Sequence, residues 1–260
     1  MRQLTKSSVK RRAGRAPSCL RLHTNLFPSP YESRSILIAI GEEGRTFNVL
    51  ESLLREKTSF FALHGEPPAL REKDDRECNN SGTDTNNPVE LDNETETGPV
   101  HYRIASEFHT LSAFGTLVGW IYATRPNIPE TKDDCISLLQ AYMLAVQYNV
   151  APLQNAIIKR FCEYHKRVVV DLNHLLWMTD HTKDNTGLAM TAYLVQQIAY
   201  EISDRGILEY EKHNPGLHAY ISQGDSSVRY ELVKAIAHRA QLPGVCDPAK
   251  DPGRWFVTEV

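Results

Sequence analysis

The sequence predicts a mixed α/β (α+β) chain: a small sheet flanked by helices, followed by an all-helical extension. Three observations predict it. Ile36-Leu37-Ile38-Ala39-Ile40 is a continuous apolar run of strand length, as expected for a strand covered on both faces. The stretch from Phe47 to Phe61 changes period part-way. Phe47 and Val49 alternate with Thr46 and Asn48, and from there Leu50, Leu53 and Leu54 fall at helical spacing. After residue 110, apolar residues recur at helical spacing through most of the remaining chain.

In chain order, Gly41-Glu42-Glu43-Gly44 reads as a tight turn and Arg45 to Val49 as the returning hairpin partner. Glu51 and Arg55 stand four apart with the acid first, the better orientation for an exposed helical pair. Thr58 is placed to cap a second short helix that carries Phe60 and Phe61 inward. A strand feeding two short apolar helices must pack on something from elsewhere in the chain. Val100 to Ile104 alternates weakly and can rejoin the sheet. Thr110 caps a helix whose stripe is Leu111, Phe114, Leu117, Val118, Ile121 and Tyr122, stopped by Arg125-Pro126. Asp133 or Asp134 starts the next, with a buried face predicted as Ile136, Leu139, Met143 and Val146, bordered by Tyr142 and Tyr148. Pro152, at a first-turn position, opens a third helix carrying Leu153, Ala156, Ile157, Phe161 and Tyr164. Leu172 to Met178, Leu188 to Ile202, Pro215 to Ile221 and Val228 to Ala240 are amphipathic, with breaks at Asn185, Gly206, Asn214 and Gly224. Asp247-Pro248 through Pro252-Gly253 reads as a terminal loop.

This divides the chain into a basic tail over 1–32, a globular unit over 33–165, a helical extension over 166–243 and a C-terminal tail over 244–260. Arg2, Lys6, Lys10, Arg11, Arg12, Arg15 and Arg21 all precede the first acid, Glu32. That composition suits a disordered tail, and Lys10-Arg11-Arg12 would serve as a nuclear import signal. Inside the unit, residues 66–98 lose all periodicity and read as a disordered acidic insert with too little apolar area to offset ordering. Asn79-Asn80-Ser81 and Asn93-Glu94-Thr95 match the glycosylation acceptor pattern there by chance. The final Thr258-Glu259-Val260 resembles a ligand for PDZ domains.

With 41% hydrophobic and 8% aromatic residues, 260 residues can bury a sizeable core. A net charge of −3 gives no overall attraction to nucleic acid or to an anionic membrane. No apolar run approaches the length of a membrane span. Five cysteines, odd in number and without a C-x-x-C, argue against a disulfide framework and for a reducing, cytoplasmic or nuclear compartment.

Catalytic constellations are not visible. There is no G-x-G-x-x-G, P-loop, G-x-S-x-G or H-E-x-x-H. Cys162 and His165 stand at i, i+3 as a possible metal pair, but further ligands are missing nearby, and the pair reads as a buried Cys beside a solvated His. Asp180-His181 with Asp184 lies at a helix end, where charges cap or solvate. Trp120, Tyr122, Tyr142 and Tyr148 have helical spacing without interleaved basic residues, which favours core over base stacking. Catalytic, cofactor-binding and metal residues are therefore all expected to be none, and no cofactor is implied.

Taken together, these pieces resemble a BTB/POZ domain of the fungal type. The resemblance rests on Phe47-Asn48-Val49-Leu50, Leu53, Ser59 and Phe60-Phe61. It continues in Trp120-Ile121-Tyr122, Leu138-Leu139-Gln140-Ala141-Tyr142-Met143-Leu144-Ala145, Tyr148-Asn149-Val150 and Leu153. Order and spacing agree over roughly 33–164 apart from the insert. The family's His after the strand is Leu50 here, and its Asp before the first strand falls on Arg34 or Ser35. The tail of helices resembles, more loosely, the extension behind that unit in fungal proteins. The resemblance implies a BTB/POZ fold working as a protein–protein interaction module. Such a module forms a homo-oligomer, or serves as an adaptor presenting clients to a cullin-type ubiquitin ligase, with no direct nucleic-acid or membrane contact. Two rivals are a transcription-associated scaffold and an enzyme using His174, His181 and Asp180 in the C-terminal helices.

Overall fold

The computed structural model describes residues 34–41, 44–67, 100–105, 108–183, 185–223, 226–241, 244 and 246–258. The basic tail, nearly all of the insert, and Glu259 and Val260 of the PDZ-like ending lie outside them. The chain separates into the units Met1–Glu32 and Ser33–Val260, and the described residues all belong to the second. That unit is mixed α+β, mostly helical with one small sheet.

The sheet orders its strands β2-β1-β3. β1 (Ser35–Ile40) is central, which is why its apolar run is unbroken: Ile36, Ile38, Ala39 and Ile40 are all buried. β2 (Arg45–Leu50) pairs antiparallel with it, Ile36 opposite Val49 and Ile38 opposite Phe47. Gly41 and Gly44, at the ends of the turn, both have positive φ, a conformation that other residues adopt only with strain. β3 (Tyr102–Ile104) returns from the far side of the insert to lie parallel to β1.

The short helices α1 (Glu51–Lys57) and α2 (Phe60–His64) follow the hairpin directly. Thr58 is not the N-cap of α2 as expected: Ser59 holds that position without a side-chain cap, and Thr58 closes α1, its hydroxyl donating to Leu54 O and accepting from Phe60 N at 3.1 Å. Leu54 rather than Leu53 is the fully buried leucine. The partners this stretch requires come from far along the chain. Phe47 meets Phe114 edge-on at 5.1 Å. The Lys57 ammonium donates to Ile121 O, and Ser59 N donates to Tyr148 O.

α3 (Leu111–Ile121) is capped by Thr110, whose hydroxyl accepts from Ala113 N. α4 (Lys132–Gln147) starts slightly earlier than expected, because Thr131 and Asp134 form a reciprocal capping box. Its buried face also differs. Cys135, Leu138, Leu139, Ala141, Tyr142, Leu144 and Ala145 are buried, while Ile136, Met143 and Val146 are only partly covered. The helix is enclosed on several sides, against α3, α5 and α6, so a single stripe was too narrow a description. α5 (Ala151–His165) carries Pro152 in its first turn.

The extension comprises α6 (Leu172–His181), α7 (Ala189–Arg205), α8 (Ile207–His213), α9 (Leu217–Ser222) and α10 (Ser227–Gln241). α8 was not expected; it starts straight after the Gly206 break, and its exposed start hid its period. The closing segment is not a plain loop. Two 3-10 turns, Pro248–Lys250 and Pro252–Trp255, pack against α5 and α7 and bury Ala249 and Trp255. The core is continuous from β1 to Trp255, with no seam at residue 165. Among the described residues, no helix is long and apolar enough to cross a membrane.

Candidate functional site

An interaction module needs apolar side chains that its own fold leaves uncovered. The stripe on α3 and the enclosed faces of α4 do not supply them, because α3 packs on β2 and α4, and α4 on α5 and α6. Of those stripes only Tyr122, just past the end of α3, is exposed, and its hydroxyl accepts from Leu50 N at 3.0 Å. Leu63 on α2 is 52% exposed. The larger uncovered set lies beyond residue 165. Ile207 and Leu208 open α8, with Leu208 at 75%, and Tyr230 and Val233 stand three apart on one face of α10. The adjacent Ile207-Leu208 pair behind a glycine was the sequence signal for this surface.

Of the four aromatic residues expected in the core, Tyr142 and Tyr148 are fully buried and Trp120 partly so, while Tyr122 is exposed because it lies past the end of α3. Tyr148 sits at the junction of α2, α4 and the residues before α3. Its hydroxyl lies 3.0 Å from His64 Nε2 and 2.6 Å from His109 Nε2. A hydroxyl carries one proton, so at least one of the two imidazoles donates to it. Burial pushes His109 down to about 4, which keeps that ring neutral.

Cys162 and His165 converge on the Tyr193 hydroxyl. His165 is buried, not solvated as expected, and its Nδ1 lies 2.8 Å from the Tyr193 hydroxyl. Burial raises the Cys162 thiol to about 11, which suits an inert core cysteine. The ring of His174 stands 6.1 Å from that of His165, and neither of its nitrogens has a hydrogen-bond partner. Burial drives His174 down to about 4 against the pull of Asp171, and drives His165 well below its ordinary value. Asp171 caps α6 through Asn173 N and pairs with Lys132 at the start of α4. Among the described residues, no group of three or more His, Cys, Asp and Glu side chains could hold a metal ion.

A second polar cluster, which sequence reasoning missed, ties the α5–α6 connection to the extension. Val170 N donates to the Glu201 carboxylate at 3.2 Å, Val170 O accepts from Tyr210 and Asn214, and Leu172 N donates to Asn214 Oδ1. Asn214, a break between helices in the sequence, is buried in this cluster. Burial raises the Glu201 carboxyl to about 7. A carboxyl whose pKa rises on folding favours the fold fully below its unfolded value, and that contribution is lost as pH climbs through 7. Glu201→Gln, which keeps an acceptor for Val170 N, should therefore stabilise the protein by roughly 2–3 kcal/mol at about pH 8.5 and by little near pH 5. Urea midpoints at the two pH values check this; equal gains at both would refute it.

The three residues of the enzyme rival are not brought together. His174 is closed in the core, Asp180 is exposed, and His181 stacks on Trp177 at 4.1 Å with Nδ1 against Trp177 O. Asp184 lies outside the described residues. No protein-family model, no curated protein and no solved structure matches the chain.

Proposed function

We propose that this chain is a protein–protein interaction module of the BTB/POZ type, with an integral helical extension. It self-associates, or acts as an adaptor that presents clients to a cullin-type ubiquitin ligase. One observation carries the reading. Residues bearing the resemblance, distant in sequence, meet in one core: Phe60, Leu139, Tyr142, Leu144, Tyr148 and Leu153 are all fully buried there. They do so on elements in the implied order, a hairpin, two short helices, a third strand and three helices. The uncovered apolar residues on α2 and on α8 and α10 supply anchors for association.

Light scattering of the full chain across a dilution series is the test, with Leu63→Asp and Leu208→Asp as probes of the two regions. Both side chains are exposed, so each variant should melt like the parent. The expected result is a dimer weakened by Leu63→Asp, or a monomer that binds a purified cullin-type scaffold. Weakening by Leu208→Asp alone moves the interface to the extension. A strict monomer that binds no such scaffold refutes the proposal.

A further inference from the structure

α7 begins without a capping side chain, since Leu188 holds the N-cap position and offers no side-chain acceptor. In that first turn the backbone N–H groups of Ala189 and Thr191 have no hydrogen-bond partner among the described residues. A free first turn of a long helix attracts an anion. A second, independent observation points to a ligand. Thr191 is 1% exposed, and its hydroxyl has no hydrogen-bond partner either. Helical threonines commonly satisfy theirs on the carbonyl four residues back, as Thr116 and Thr179 do on Ser112 O and Leu175 O. Thr191 stands too early in α7 for that bond, and a sealed hydroxyl left unpaired is unfavourable. It forms part of the wall of an open cavity of about 270 Å³ between α7, α10 and the second 3-10 turn.

The rest of the wall narrows the ligand. Thr186, just before the helix, lines the same cavity, so the free first turn borders it. Arg254 brings a guanidinium, 5.3 Å over the Trp255 ring, and no carboxylate pairs with it among the described residues. Glu231 brings a carboxylate, which would repel a lone anion. Its own partner is Lys234, one turn on at 3.1 Å, an exposed pair of little strength. Val195 and Trp255 supply an apolar side. Anion and cation sites beside an apolar wall match a zwitterion, and the cavity is smaller than the roughly 300–1,000 Å³ of drug-sized sites. We propose that it binds a free α-amino acid with an apolar side chain. The first turn of α7, the Thr191 hydroxyl and Arg254 take the carboxylate, Glu231 takes the ammonium, and Val195 and Trp255 receive the side chain. This goes beyond the interaction reading and does not depend on it.

The test titrates the full chain calorimetrically with L-leucine, with 4-methylpentanoate and 3-methylbutylamine as probes lacking the ammonium or the carboxylate. Leucine should bind saturably at one site, at least about tenfold tighter than either control. Thr191→Val removes the hydroxyl and keeps the shape. Because that hydroxyl has no partner in the parent, the melting temperature should not fall, while leucine binding weakens by about tenfold or more. Glu231→Gln is the second variant, on a side chain that is 41% exposed, so the fold stays intact. It should weaken leucine to a similar degree without weakening 4-methylpentanoate. Absence of saturable leucine binding overturns the proposal. So does leucine binding unchanged in either variant, or 4-methylpentanoate binding as tightly as leucine.

Discussion

Acidification from about pH 7 to about pH 4.5 should strongly destabilise this chain. Burial holds His109 and His174 down to about 4 and His165 well below its ordinary value, so all three rings stay neutral in the fold. Histidines of the unfolded chain take up protons near their ordinary value, roughly 6.5. Unfolding therefore binds protons, and stability present above that value is lost as pH falls through the folded values. His109 and His174 each account for roughly 2.5 kcal/mol at pH 4.5, and His165 acts in the same direction. Glu201 works in the opposite direction over the same range and offsets about one of the three. The remainder is a large share of a typical domain stability of roughly 5–15 kcal/mol. Urea midpoints at pH 7, 5.5 and 4.5 measure it, and a midpoint that stays flat would show that the rings are not sealed. His174→Leu isolates one ring. With both nitrogens unpartnered in the parent, it should change little at pH 7 and remove roughly 2.5 kcal/mol of the acid loss.

Leu139→Ala should lower stability by roughly 2–5 kcal/mol, because it opens a cavity in a helix enclosed by α3, α5 and α6. Leu139 is fully buried, and close packing leaves its neighbours little room to collapse into the space. Ile136, expected on the same face, is only partly covered, so Ile136→Ala should have clearly the smaller effect. Denaturant midpoints of the two variants decide between the observed face of α4 and the one expected from spacing. Equal losses would restore the expected face.

Much of the fold was legible because local signals and final environment agreed. The β1 run was apolar throughout since that strand is central, and the change of period after Val49 marked the passage from β2 to α1. Thr110 caps α3 by a hydrogen bond that spans only three residues, so its sequence context was sufficient, whereas the N-cap of α2 is Ser59 rather than the expected Thr58. The site was less legible. The cluster around Val170 joins Glu201, Tyr210 and Asn214, residues that look like ordinary surface polar groups until helices far along the chain close over them. Thr191 likewise reads as an ordinary helical hydroxyl, and only the packing of α10 and the closing turns on α7 buries it.

The hairpin, the helical stripes and the caps were thus written in the chain itself, because strand alternation, helical period and capping depend on neighbours a few residues apart. Which faces are covered was decided only on folding. α4 meets neighbours on several sides, α8 lays two apolar residues in solvent, and the last turns bury Trp255 against the core. His165 and His174 became neutral, and Glu201 reluctant to ionise, for the same reason. Desolvation belongs to the assembled interior, where groups remote in sequence jointly remove water, and no short stretch of residues can specify it.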